Sequence, residues 1–291
     1  MGKRTRGQQI FAVFNALLMV LIIITCLLPL INVLAVSFSR QEAVAAGEVS
    51  LLPVGFTTVA YTTILKDRLF LRTFGNSLLR LLAGVPINLF LAITAAYPLS
   101  KNGNKLAFRQ GYVWFFVTTM LVGGGLIPTY LTIRALGLLG SFWALILPGA
   151  VSAYNMILLL NFFKTIPSEL EEAALIDGAG HWRILWGLYV PCSLPAIATL
   201  TLFFVVGHWN EWFSAQIYLN RTEQYPLQSY LQVLLTQSKN TQNLSLTAFE
   251  KMTPEGVKMA CVIVGMVPIL CVYPFLQKYF IFGMYTGSVK G

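Results

Sequence analysis

The six longest stretches of the chain without Asp, Glu, Lys or Arg run from Gly7 to Ser39, Leu81 to Ser100, Gln110 to Ile133, Ala135 to Phe163, Ile184 to Asn210 and Met259 to Gln277. A helix crosses a hydrocarbon core in roughly 20 residues, at a rise of about 1.5 Å per residue. It also satisfies its own backbone polar groups, which lipid cannot do. Barrel strands would alternate apolar and polar positions over roughly ten residues, and these runs are longer and apolar throughout. The pattern therefore predicts six spans, at 10–36, 74–98, 111–132, 142–163, 196–219 and 258–281. The loops between them fall at 37–73, 99–110, 133–141, 164–195 and 220–257. The predicted fold class is an all-α polytopic membrane protein with six transmembrane helices, forming a single transmembrane domain over 1–291.

Composition strengthens this reading. The 291 residues are 56% hydrophobic and 11% charged, against about 25% charged in a soluble domain. A water-soluble globule would lack polar cover. The first run is not read as a cleaved leader, because Ile10 to Val36 outruns the roughly 7–15 residues of a leader's apolar region. The four cysteines lie in or beside expected spans (Cys26, Cys192, Cys261, Cys271), which argues against a disulfide framework. The net charge of +9 is spread without a Lys/Arg block suited to nucleic acid. Anionic lipid headgroups are the expected partner.

Lys3, Arg4 and Arg6 hold the N-terminus in the cytoplasm, and the loop with Lys101, Lys105 and Arg109 follows the same rule. With six spans the C-terminus is then cytoplasmic too, as are 99–110 and 164–195. Over the whole chain the bias is thin, ten basic residues inside against nine outside, so the short flanks carry the orientation. In the third span Gly123-Gly124-Gly125 and Pro128 predict a break or kink, from lost side-chain packing and a missing backbone donor. Such a break either lines a pathway or lets helices pack closely.

Between the fourth and fifth spans stands a charged insert, with EEAALIDGAG at 171–180. Ser168 with Glu171 three residues later matches a capping box, and Glu169, Glu171 and Glu172 suit the positive end of a helix dipole. Asp177-Gly178 signals a turn. Trp182, Leu185, Trp186 and Tyr189 then recur at helical spacing. Pro191 and Pro195 close this second short helix. Surface helices on a membrane usually carry Lys/Arg on the polar face, whereas here acids outnumber bases. A protein partner is the expected contact.

Glu172-Ala173-Ala174, three residues, Gly178, nine residues and Leu188-Tyr189-Val190-Pro191 resemble the EAA loop of permease subunits in binding-protein-dependent ABC importers. Asp177 before the glycine is similar to carbohydrate permeases. So are Gly75-Asn76-Ser77 at the second span, Trp209-Asn210-Glu211-Trp212 in the fifth, and the tail from Gly283 to Gly291. The stretches GGGLIPTYL at 123–131 and NMILLLNFF at 155–163 look nearest to permeases for complex oligosaccharides, an alginate importer among them. The resemblance implies a cytoplasmic coupling loop whose Glu171, Glu172, Ala173, Ala174, Asp177, Gly178 and Pro191 engage an ATPase. It further implies a second homologous permease subunit, two cytoplasmic ATPase subunits that hold ATP and Mg, an external solute-binding protein and an oligosaccharide substrate. The location implied is a bacterial inner membrane.

No Walker pattern occurs, so ATP hydrolysis is expected on another chain and no cofactor, metal or catalytic residue on this one. Ionisable groups inside spans are functional candidates. Arg80 either snorkels to the outer surface or anchors a carboxylated sugar or Glu211. His208 and Glu211 lie three apart on one face, where Trp209 and Trp212 suit an interfacial belt. Tyr130, Tyr154, Asn155 and Asn210 complete the candidate substrate pathway, with helix contact as the plainer role. The polar loop 220–257 is placed to meet an external protein. An ion-coupled secondary transporter and a membrane enzyme acting on lipid or cell-wall intermediates are the rival classes, and the EAA spacing argues against both.

Overall fold

The computed structural model describes residues 6–101, 106–237 and 254–288. Lys3, Arg4, Lys105, the end of the tail and most of the polar tract of the loop 220–257 lie outside the described residues. Among the described residues there is no strand, and the chain divides into two compact units, Met1–Leu71 with Val233–Met266 and Arg72–Gln232 with Val267–Gly291.

The first unit opens with α1 (Arg6–Ser37), which is apolar around its whole circumference and has none of its most hydrophobic stretch covered by the chain. A helix hydrophobic on every face belongs in lipid or a protein core. It ends where Ser37 Oγ turns back to the Leu34 carbonyl and Ser39 Oγ to that of Ala35, at 2.7 Å each. The following loop has its own order. It includes α2 (Gln41–Ala45) and α3 (Val59–Lys66), and Phe38 packs on Phe56 and Tyr61 with ring centroids 5.3 and 4.7 Å away.

The second unit is built on α4 (Arg68–Ser100), which runs into it from the first, with α5 (Arg109–Leu121), α6 (Leu126–Ala135), α7 (Ala153–Phe163), α8 (Ser168–Ile176), α9 (His181–Ile184), α10 (Val190–Cys192), α11 (Leu194–Asn210) and α12 (Phe213–Tyr218). Its core joins Ile93 and Ala96 of α4, Met156, Leu159 and Phe163 of α7, Ile184 and Leu185 of the charged insert at 164–195 (an elbow of short helices, α8 to α10), and Leu200 and Phe204 of α11. The helices α13 (Leu227–Gln237) and α14 (Glu255–Ser288) follow.

Among the described residues, three helices are long and apolar enough to cross a membrane unbroken: Gly7–Ser37, Arg68–Ser100 and Glu255–Val272. Three bent pairs of helices pass the same test of length and apolarity, and counting each pair as one span brings the total to the six expected. Each bend has a local cause. After α5 the backbone meets Gly123-Gly124-Gly125, with Gly125 at φ +81° and Pro128 just beyond, and α6 leaves at 114° to α5. The fourth starts as 3₁₀ turns, Phe142–Leu145 and Leu147–Gly149, and bends by 47° into α7. At the fifth, α11 leaves the short helical stretch His181–Cys192 at 84°, where Pro191, Ser193 and Pro195 interrupt the ladder. It also breaks again after Asn210, inside the expected stretch 196–219, before α12 starts. Bends two and three were not read from the sequence as interruptions of a span.

Candidate functional site

The elbow is shaped by how α8 ends. Gly178 stands at φ +77°, donating to the Leu175 carbonyl at 3.0 Å while Ala179 N donates to that of Ala174 at 2.9 Å. These two bonds make a Schellman cap, in which the residue after the cap must adopt a left-handed conformation that glycine takes without strain. The motif's spacing follows from this geometry. The second alanine of Glu172-Ala173-Ala174 supplies the carbonyl for the 6→1 bond, and the glycine four residues on supplies the left-handed turn. Among the described residues nothing lies within 4 Å of a Cβ built at Gly178.

The start of α8 corrects the expected capping box. Pro167 is the N-cap and Ser168 is already helical, with no side-chain cap. Glu171 instead turns inward and is buried. Its carboxylate accepts from Lys101 Nζ at 2.6 Å and from the Tyr189 hydroxyl at 2.8 Å. The Lys101 ammonium stands 3.9 Å from the ring centroids of both Tyr97 and Tyr189, a cation held between two aromatic faces. The Tyr97 hydroxyl is hydrogen-bonded to His181 Nδ1 at 3.2 Å. Burial and then the Glu171 bond push the Tyr189 phenol above its usual range. Thus α8 is pinned from behind to the C-terminal end of α4, while Glu172, Ala173, Asp177 and Gly178 are exposed, Ala174 is half-buried and Ile176 is 86% exposed.

The expected stripe of Trp182, Leu185, Trp186 and Tyr189 is split. A π-helical turn spans Leu185–Tyr189 between α9 and α10, and its wider i→i+5 winding rotates the register. Ile184, Leu185 and Tyr189 face the core, whereas Trp182 and Trp186 are 63% and 43% exposed. Pro191 is also exposed, within α10.

A second cluster lies along one face of α4. Arg80 does not snorkel; it is buried, paired with Glu211 at 2.8 Å, and donates to the carbonyls of Glu211 and Leu145 at 3.1 Å each. Two turns on, Asn88 Nδ2 donates to the Gly149 and Ala150 carbonyls at 3.0 and 2.8 Å, and Asn88 Oδ1 meets His208 Nε2 at 2.6 Å. Between them, a side-chain carbon at Gly84 would stand 2.6 Å from His208 Nε2. Arg80, Gly84 and Asn88 recur at i, i+4 and i+8, so one seam of α4 serves carbonyls released by the breaks in the fourth and fifth spans. Glu211 also accepts from Ser214 N at 2.7 Å, which secures the start of α12.

Arg80, Asn155, His208 and Glu211 of the expected pathway line one cavity of about 310 Å³, together with Asn88 and Tyr218. Tyr130 reaches it indirectly, stacked on Tyr218 with centroids 6.4 Å apart. Tyr154 and Asn210 are exposed and do not line it. His208 and Glu211 each hydrogen-bond to a different residue of α4, Asn88 and Arg80. Trp209 is 2% exposed, with Phe74 edge-on at 5.9 Å, which removes it from any interfacial belt. Sequence reasoning missed Lys101 as Glu171's partner, and Gly84 and Asn88 altogether. The i, i+4 recurrence of a small and a polar residue beyond Arg80 was the signal for the latter two.

A family model described as binding-protein-dependent transport system inner membrane component matches residues 112–284. Protein LplC of Bacillus subtilis (strain 168) is 39% identical over 288 residues, covering 99% of this chain and 97% of its own length. The polygalacturonan/rhamnogalacturonan transport system permease protein YtcP of the same organism is 41% identical over 281 residues, covering 96% and 97%. Among solved structures, a chain of a bacterial ABC transporter involved in the import of the acidic polysaccharide alginate superposes with a TM-score of 0.87 at 34% identity, over 96% of this chain and 100% of that one.

Proposed function

The chain belongs to the family of binding-protein-dependent transport system inner membrane components, and from that premise we propose that it is one permease subunit of an ATP-driven importer carrying oligosaccharides, acidic ones among them, from an external binding protein into the cytoplasm. It is a transport subunit of the inner membrane. Its N- and C-termini face the cytoplasm in this reading, with a second permease subunit beside it and two ATPase subunits below that hold ATP and Mg. The substrate class is supported by the names of the relatives and of the solved importer. The external partner is supported by the family's description.

The observation that carries the proposal is the two-sided elbow. The exposed side, Glu172 to Gly178, is free of neighbours within the described residues at Gly178, so an ATPase cleft can close on it. The hidden side is clamped by Glu171, Lys101, Tyr97 and Tyr189 to α4, and the chain leaves through Pro191 into α11. A push on the short helix is thereby delivered to two spans at once.

Reconstitution tests it. The chain, its neighbouring permease and ATPase, and a binding protein loaded with an oligosaccharide should give sugar uptake that consumes ATP. Uptake driven by an ion gradient with no ATPase present would favour a secondary transporter and end the proposal.

A further inference from the structure

We infer that Arg80 is a carboxylate-recognition site for a uronate residue of the cargo, and that Glu211 occupies it in the sugar-free chain as a built-in competitor. This rests on the importer reading above. Four observations carry it. First, the pair is lopsided: the Arg80 side chain is 4% exposed and that of Glu211 31% exposed, so the cation is fixed in the wall while the anion stands at the open side. Second, Glu211 follows the last residue of α11, at the break before α12, where the backbone already departs from helix. Third, Arg80 lines the cavity and its Nε is buried with no hydrogen-bond partner, whereas both Nη atoms are engaged. That idle Nε–H, together with the Nη2–H that a departing Glu211 releases, can donate to the two oxygens of an incoming carboxylate. Fourth, Asn155 is buried on the same cavity wall and Tyr218, backed by Tyr130, offers a ring face nearby.

Charge balance favours exchange over addition. The cavity wall carries one buried cation, and Glu211 neutralises it. A uronate entering beside the intact pair would leave a net anion in a desolvated site. If the sugar carboxylate takes the Arg80 fork while Glu211 turns to the wet side, the count at Arg80 is unchanged. The Ser214 N bond uses the other Glu211 oxygen, so that exchange leaves the cap of α12 a partner. The cavity of about 310 Å³ sits at the small end of the roughly 300–1,000 Å³ seen for ligand sites, which suits one sugar unit of a longer chain.

The test uses the whole importer in proteoliposomes with its binding protein. It compares uptake of trigalacturonate with uptake of the same trisaccharide after its carboxylates are reduced to alcohols. The quantity read is the acidic-to-neutral uptake ratio, normalised to the unsubstituted complex so that the binding protein's own preference cancels. R80Q should lower that ratio about tenfold, the loss of one charge-assisted bond. E211Q should raise it, because the competing charge is gone while Gln still accepts from Ser214. R80K and E211D, which keep both charges but misplace one, should shift the ratio in the same two directions and decide the matter if a neutralised variant fails to assemble with the ATPase. Ratios that stay flat while both uptakes fall together would reduce the pair to a brace and overturn the inference, leaving the importer reading intact. Absence of ATP-dependent uptake in the unsubstituted complex would instead strike the importer reading.

Discussion

At the scale of single residues, two positions of the elbow carry sharp expectations. The Lys101–Glu171 pair is almost wholly buried, at 9% and 4% side-chain exposure. Removing one partner of such a pair leaves an uncompensated charge and costs about 3–5 kcal/mol, whereas replacing both with apolar residues is often neutral. K101M and E171L are therefore each expected to loosen the elbow, and the double variant to recover much of the loss. Thermal unfolding of the purified complex, read as a double-mutant cycle, checks this; additive losses would show that the two residues do not act as a unit. At Gly178 the issue is conformation. G178V places a β-branched residue at φ +77° and should cost about 1–2 kcal/mol locally, while G178N, which tolerates that region, should cost less. Both should insert in the membrane, and only G178N is expected to keep copurifying with the ATPase. Equal behaviour of the two would mean that bulk at the interface, not the backbone turn, is what matters.

At the scale of elements, α4 does more than span. Its Arg80–Gly84–Asn88 seam receives the loose carbonyls of two broken neighbours, so the breaks and the seam stand or fall together. G84A should drive the His208 ring off Asn88, and H208A in the same chain should relieve the clash. A crosslink or distance label between the middle of α4 and α11 should separate in G84A and return in the double variant. No separation would mean that the ring moves aside freely and that the seam is not tight. The same comparison shows what sequence could reveal. Charge-free runs betrayed the six spans because lipid penalises every unpaired charge alike. The EAA spacing betrayed the elbow because a Schellman cap has a fixed residue count. Asn88 and Gly84 stayed hidden because they sit inside a charge-free run, where neither polarity nor size disturbs the pattern. Lys101 passed for an ordinary flanking cation, since nothing local marks a partner 70 residues away. The capping box failed because Glu171 found a buried cation and a phenol, a stronger set of contacts than the backbone amide it was expected to seek. The tryptophan stripe failed because a π turn shifts the register of the very residues used to predict it.

At the scale of the whole molecule, everything depends on which side of the membrane the elbow occupies. The basic N-terminal flank and the loop after α4 argue for the cytoplasm, and an anionic elbow there would meet a motor that runs on cytoplasmic ATP. The expectation can be read directly in a background stripped of Cys26, Cys192, Cys261 and Cys271. A cysteine at Ile176, which is 86% exposed at the tip of α8, should resist a membrane-impermeant thiol reagent in intact cells and react in inverted vesicles. A cysteine at Leu52, 77% exposed in the loop after α1, should do the opposite. Addition of the ATPase subunit should then shield position 176 and leave position 52 unchanged, since only one of them lies on the face it grips. Reaction of Ile176→Cys from outside the cell would invert the topology and remove any route by which nucleotide hydrolysis could move α8. Correct sidedness without shielding would keep the topology but transfer the docking face elsewhere, to the exposed Trp182 of α9 and Trp186 of the π turn.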